Sequence, residues 1–373
     1  MLFPDSHAGK APSSFLAALV LLAAALLFAP IARAQDAPDA SVNEKNAPGA
    51  TETEKTAPQA ADPGTGAAQS PAPLKRFTIL PQWEPQSQFA GIYMAKEKGI
   101  YEKYGLDVTI LRGGPKSPTH VMLPQGKIDF ATMFLTTAVK LAADRVPVVN
   151  LAQIVKRSTL LLVAKKSRGI ILPRDLDGGR ISTWGPEFSL QINEFLRKHR
   201  VAVETLPQGY AINLFLRDGV DAVSAMRYNE YHSMLNAGLD EDDLTVFSMA
   251  DNGLDFPEDG LYCLRSTYEA DPEACCNMAQ ATMEGWRYAF AHPEETLDVI
   301  MRHVEEVKLA TNRAHQRWML DHMRQAIAPD GQAAVSPLTR EAFMTVAKAL
   351  YGAALIPTIP SYEEFHADCH SAP

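Results

Sequence analysis

Cysteine is scarce: Cys263, Cys275, Cys276 and Cys369 are the only four, and their spacing matches neither a metal-ligand pattern nor a CxxC redox pair. HExxH and GxSxG are missing as well, so the sequence offers neither the paired histidines of a zinc peptidase nor the exposed serine of a hydrolase elbow. His120 stands in a loop, and His303, His315 and His322 fall on C-terminal helical stretches at spacings of packed or solvated faces. No catalytic residue, metal or cofactor is expected. Positive charge is also in short supply: 35 Lys and Arg against 44 Asp and Glu give a net charge of −9. That balance disfavours nucleic acid, because phosphate binding needs clustered cations. Internal repeats, charge runs and a second long apolar segment are lacking too, which argues against a solenoid and against a membrane-embedded subunit.

The amino terminus does carry an apolar run, "SSFLAALVLLAAALLFAP" from Ser13 to Pro30, followed by "IARAQD". Ala32 and Ala34 flank Arg33 in the small-x-small pattern of signal peptidase, so residues 1–34 are expected to be a cleaved signal peptide. Retention as an uncleaved anchor is the alternative. Residues 35–74 are rich in Ala, Pro, Thr, Glu and Gly; with so little to bury they cannot offset their ordering entropy, and a disordered linker is expected.

From Arg76 onward, short apolar runs alternate with amphipathic stretches: "RFTIL", "FAGIYMAKEKGIYEKYG", "LDVTIL", "THVMLPQG", "DFATMF", "AVKLAADR", "VPVVNLAQIV". A second cycle runs from "GGRIST" through "VDAVSAM" to "LTVFSMA". This rhythm predicts mainly parallel sheets covered by helices. After "GLYCLRS" helices take over. Asp271, Pro272 and Glu273 supply a cap, a first-turn proline and an acid at the positive dipole end, and Cys275, Met278, Ala279, Thr282, Trp286 and Ala289 recur on one face. The fold class expected is α/β, two-lobed, with a helical C-terminal tail. Lobe one is expected over 75–166, lobe two over 167–259, and the return to lobe one with the C-terminal helices over 260–373, hinged near Lys165–Arg168 and Asp259–Leu261. An oxidising compartment would allow one disulfide, most simply Cys263 with Cys275 or Cys276.

Open sheets bind ligands beyond the carboxyl ends of their strands, so the candidate site residues are those just past strands. In "LPQWEPQSQF", Trp83 offers a flat wall for a planar ligand, and Gln88 and Phe89 follow it. Thr136 and Thr137 come after "FATMF", where they serve equally as helix caps. In "WGPEFS", Trp184, Gly185, Glu187 and Phe188 precede a helix whose free N–H groups face the crevice; a ring sandwich between Trp83 and Trp184 is expected on closure. Tyr228, Asn229 and Glu230 in "AMRYNEY" complete the set, with Asn229 as a candidate N-cap.

At "WEPQSQFAGIYMAKEKGIYEKYGLDV", "QGKIDFATM", "WGPEFSLQINEF", "VDAVSAMRYNEY" and "DPEACCNMAQATMEGWRYAFAHPEET", the chain resembles the SsuA/THI5-like (NMT1/THI5) family, which includes periplasmic substrate-binding proteins of ABC transporters. Trp83, the "GPEF" of Gly185–Phe188 and the "YNEY" of Tyr228–Tyr231 fit its thiamine-pyrimidine-precursor branch better than its sulfonate branch. The resemblance implies a type II periplasmic-binding fold and a monomer that captures a small planar ligand by closure of two lobes. Its implied partners are a membrane permease and its ATPase. Sulfonates, riboflavin, aromatic acids or a sensing role remain alternatives, and an anionic ligand would call on Arg227. The family's pyrimidine synthases consume one of their own histidines; Thr137 occupies that position here, which implies a binder rather than an enzyme.

Overall fold

A computed structural model describes residues 73–369 except 332, 335 and 336; the expected signal peptide and nearly all of the expected linker lie outside the described residues. In chain order the first half forms β1 (Lys75–Leu80), α1 (Ala90–Glu97), α2 (Ile100–Lys103), β2 (Leu106–Ile110), α3 (Thr119–Met122), β3 (Phe130–Phe134), α4 (Leu135–Ala143), β4 (Val148–Gln153), β5 (Leu160–Lys165), β6 (Arg180–Thr183) and α5 (Pro186–His199). There follow β7 (Glu204–Pro207), α6 (Asn213–Leu216), β8 (Ala222–Met226), α7 (Glu230–Asn236), β9 (Leu244–Ser248), β10 (Asp259–Leu264) and α8 (Arg265–Ala270). The carboxyl-terminal part is helical: α9 (Pro272–Ala291), α10 (Pro293–Glu306), α11 (Arg313–Ile327), α12 (Arg340–Gly352) and α13 (Tyr362–Phe365).

Two five-stranded sheets result, ordered β2-β1-β3-β10-β4 and β7-β6-β8-β5-β9. In each, four strands run in one direction and one long-range strand runs antiparallel to them: β10 between β3 and β4, and β5 between β8 and β9. This corrects the expected lobe boundaries. β5 falls within the span expected for lobe one, yet it pairs with β8 and β9, so the chain crosses before Leu160 and returns before Asp259. An apolar run such as "LLLVAK" forms a buried strand in either sheet, and its sequence does not record the partner.

The two crossings are tied to each other. The Ile154 and Val155 amides donate to the Asp259 carbonyl, the Glu258 amide donates to the Val155 carbonyl, and the Gln153 side-chain amide donates to the Glu258 and Asp259 carbonyls. Buried backbone groups at a sheet-to-sheet passage need such partners.

The amphipathic stretch over Phe89–Gly105 forms two helices, because Gly99 adopts φ +64°, a left-handed turn that ends α1. α1 then lies against α9 at close range: a Cβ on Gly91 would meet the Trp286 ring at 2.3 Å, and one on Gly285 would meet the Gly91 carbonyl at 2.1 Å. Asp271 caps α9 by accepting from the Ala274 amide at 3.0 Å, and the expected apolar face of α9 is buried. The disulfide joins Cys276 to Cys369, fastening α9 to the carboxyl-terminal segment, while Cys263 and Cys275 are free and buried. The expected pairing of Cys263 with a vicinal cysteine is therefore replaced by a bond spanning 93 residues. Among the described residues no helix is long and apolar enough to cross a membrane.

Candidate functional site

A cavity of about 600 Å3 opens where the strand ends of both sheets meet, a volume in the range of small-molecule sites. From the first sheet, the loop after β1 brings Gln82, Trp83, Glu84, Gln86 and Gln88, and the loop after β2 brings Gly114 and Pro115. These two loops touch so closely that a Cβ on Gly113 would lie 2.0 Å from the Pro81 carbonyl oxygen. Phe134 and Thr137 follow from the end of β3. The second sheet contributes Trp184 and Phe188 after β6, Tyr210 after β7, and Tyr228, Asn229 and Glu230 after β8.

Of the residues expected from sequence, Trp83, Gln88, Thr137, Trp184, Phe188, Tyr228, Asn229 and Glu230 are brought together at this cavity. Three are not. Phe89 is 2 % exposed and belongs to the core of the first sheet, Thr136 is buried within α4, and Gly185 sits outside the described lining as the residue preceding α5. The side chain of Glu187 lies outside the described residues. Gln82, Glu84 and Gln86, which lie within the candidate stretch around Trp83, and His120, Met133, Phe134, Tyr210 and Met226 also line the cavity without having been selected from sequence. Gln82, Glu84 and Gln86 carried a signal, since they flank Trp83. Tyr210 carried none, being a 67 % exposed loop residue on a polar stretch.

The expected aromatic sandwich is arranged differently. Trp83 pairs with Tyr210 across the cleft at a ring distance of 5.2 Å, whereas Trp184 packs on Phe188 at 6.0 Å and Phe188 on Phe134 at 4.8 Å. Two aromatic clusters thus wall the cavity, each joining one sheet to the other.

Polar groups converge between those walls. Glu230 accepts from the Met226 amide at 3.0 Å and from the Asn229 side-chain amide at 2.8 Å. Burial nevertheless raises its pKa to about 7, because the charged form loses hydration. Asn229 does not cap α7 with its side chain, as the sequence suggested; its Oδ1 instead meets His315 Nε2 at 2.9 Å, so α7 is bound to α11. Behind the lining, Asp259 accepts from Gln82 Nε2 and, at 2.9 Å, from Gln88 Nε2, and burial raises it to about 6. Glu258 accepts from the Thr159 hydroxyl at 2.9 Å and is raised to about 8 by burial. Tyr228, buried among Asp259, Glu258 and Glu230, is pushed well above its ordinary range by burial first and those carboxylates second.

No lysine or arginine is among the described lining residues. Arg112 pairs with Glu84 from outside at 2.9 Å. Arg227, the expected anchor of an anion, lies with its guanidinium 5.8 Å from the Tyr231 ring centre and outside the described lining. Among the described residues no group of three or more His, Cys, Asp or Glu could hold a metal.

Residues 86–296, more than half of the sequence, match the family described as NMT1/THI5 like. The chain belongs to the NMT1/THI5-like family. It is 23% identical over 255 residues, 65% of this chain and 74% of the relative, to a formylaminopyrimidine-binding protein of Halalkalibacterium halodurans. A 4-amino-5-hydroxymethyl-2-methylpyrimidine phosphate synthase of Schizosaccharomyces pombe is 25% identical over 123 residues, 33% of this chain and 36% of that enzyme. In structure it resembles the periplasmic aliphatic sulphonate binding protein SsuA of Escherichia coli, with a TM-score of 0.63 at 14% identity, covering 78% of this chain and 91% of SsuA. The alkanesulfonate-binding protein SsuA of Xanthomonas axonopodis pv. citri, bound to MOPS, gives 0.62 at 14% identity over 79% of this chain and all of that one. The fold is thus the two-lobed periplasmic-binding-protein fold, with the helical carboxyl-terminal region expected from the sequence.

Proposed function

We propose that the protein is an exported solute-binding component of an ABC importer that captures an amino-pyrimidine related to thiamine precursors. The observation that carries the reading is the cavity's chemistry: two aromatic walls enclose Glu230 and glutamine amides, with no cation in the described lining. A planar ring stacks on such walls, and its exocyclic amine donates to a carboxylate. A sulfonate or carboxylate would meet carboxylates without a counter-charge, which disfavours the anionic alternatives.

The Halalkalibacterium halodurans relative, named for binding a formylaminopyrimidine, supports the same ligand class. A binding rather than synthetic role is supported by Thr137 standing where the family's synthases carry their consumed histidine, and by the short overlap with those enzymes. Closure brings Trp184, Tyr228 and Glu230 of the second sheet onto a ligand seated on the Trp83 loop, and these added contacts shift the population toward the closed form. The loaded protein then delivers its ligand to a membrane permease driven by an ATPase, as a monomer released from its signal peptide.

Two of the four tryptophans line the cavity, so intrinsic fluorescence reports occupancy. Titration with a formylaminopyrimidine is expected to quench it, and Trp83→Ala to weaken the affinity at least about tenfold, the loss of one stacked aromatic wall. Failure of every pyrimidine tried to change the fluorescence or the melting temperature would remove the reading.

A further inference from the structure

Asp259 does not line the cavity, is 3 % exposed and begins the strand by which the chain returns to the first sheet. It nevertheless holds two of the lining side chains, Gln82 through Oδ1 and Gln88 through Oδ2. An ionised carboxylate only accepts hydrogen bonds, whereas a glutamine amide has a donating and an accepting end. Both glutamines must therefore turn Nε2 toward Asp259. The consequence propagates one step further: the Gln88 carbonyl oxygen accepts from Gln86 Nε2 at 2.6 Å, which turns the donating end of Gln86 toward Gln88 and its carbonyl oxygen away. Among the described residues nothing donates to the carbonyl oxygens of Gln82 or Gln86, and both side chains face the cavity. Asn229 likewise turns its amide nitrogen to Glu230, donating at 2.8 Å.

We infer that Asp259 is a positioning residue that fixes the polarity of the site, turning three glutamine amides so that the cavity offers acceptors and selects a ring edge rich in N–H donors over one bearing carbonyl oxygens. The inference rests on the reading of the cavity as a pyrimidine site and deepens it from ring class to edge pattern. Burial raises Asp259 only to about 6, so near pH 7.5 it is ionised and accepts from both partners.

Asp259→Asn tests it with little change of shape. An asparagine offers one accepting and one donating end, so one of the two glutamines must reverse: Gln82 then points its NH2 into the cavity, or Gln88 turns its NH2 to Gln86, which reverses in turn. Affinities of parent and D259N proteins for a 4-aminopyrimidine and its 4-oxo counterpart are measured by calorimetry at pH 7.5. The parent is expected to prefer the amine, and the ratio of the two affinities to fall at least about tenfold in the variant, one exchanged hydrogen bond. An unchanged ratio, with both affinities kept or both reduced alike, overturns the inference.

Side-chain amide signals of Gln82 and Gln88, assigned with Gln82→Met and Gln88→Met proteins and followed in ligand-free protein by nitrogen-15 NMR, supply a reading independent of any ligand. Movement of at least one pair in D259N supports the inference; movement of neither overturns it. If the amide signals move while the parent binds neither pyrimidine, the orienting role of Asp259 stands and the pyrimidine reading falls.

Discussion

Replacing Glu230 by glutamine separates what this carboxylate does for a ligand from what it does to the fold. In the native chain burial keeps its proton on to about pH 7, against an ordinary value of 4.5. A rise of that size corresponds to roughly 3 kcal/mol against the charged form. Between those two pH values the native state binds more protons than the unfolded state, so this group lowers stability progressively as pH rises from 4.5 through 7. A glutamine removes the charge, but its NH2 must then face either the Met226 amide or the Asn229 side chain, both of which donate to Glu230; that mismatch forfeits about 1 kcal/mol.

The E230Q protein should accordingly be slightly less stable than its parent near pH 4.5 and more stable by about 2 kcal/mol near pH 8. Urea unfolding at the two pH values measures the difference. At pH 8 the same variant should bind a 4-aminopyrimidine more than tenfold less tightly, since a hydrogen bond to a charged acceptor contributes about 1.5–3 kcal/mol. A stability difference that stays constant between the two pH values would refute the argument that Glu230 is a desolvated carboxylate held for the ligand.

Two further predictions concern the scaffold. Cys369→Ser opens a link spanning 93 residues and should lower unfolding stability by about 2–4 kcal/mol, read as the difference in urea midpoint between oxidised parent and variant; equal midpoints would contradict the link. Gly91→Ala places a methyl group against the Trp286 ring and should cost about 1–3 kcal/mol, seen as a lowered melting temperature with the ligand's edge preference retained, because neither residue lines the cavity.

Much of the lining of the candidate site could be read in the sequence because its residues lie immediately beyond strands, and strands announce themselves through short apolar runs. Trp83, Trp184 and the Tyr228–Glu230 segment follow "RFTIL", "RIST" and "AVSAM" in that way. Which sheet a strand joins is a different kind of information. β5 and β10 are apolar runs like the others, and only long-range pairing reveals that each is the antiparallel member of its sheet. The first crossing therefore lies before Leu160 rather than near Lys165–Arg168, while the return falls at the expected hinge; Asp259, which stands there, gave no hint that it would meet Gln82 from 177 residues away.

Phe89 and Thr136 show the opposite error: both neighbour residues that line the cavity, but on a helical turn adjacent side chains face different ways, and theirs face the core. The disulfide was missed for the same reason as the first crossing. Nothing local distinguishes Cys276 from Cys275; helical geometry sends one toward Cys369 and leaves the other beside α8, with its thiol 3.6 Å from the Thr267 carbonyl oxygen.

The most direct test of the central claim is a calorimetric titration of the full chain at pH 7.5 with a formylaminopyrimidine and, separately, with an alkanesulfonate. A cavity walled by Trp83 and Trp184, carrying Glu230 and no lining cation, predicts saturable one-to-one binding of the pyrimidine and none of the sulfonate. Binding of the sulfonate without the pyrimidine would contradict it.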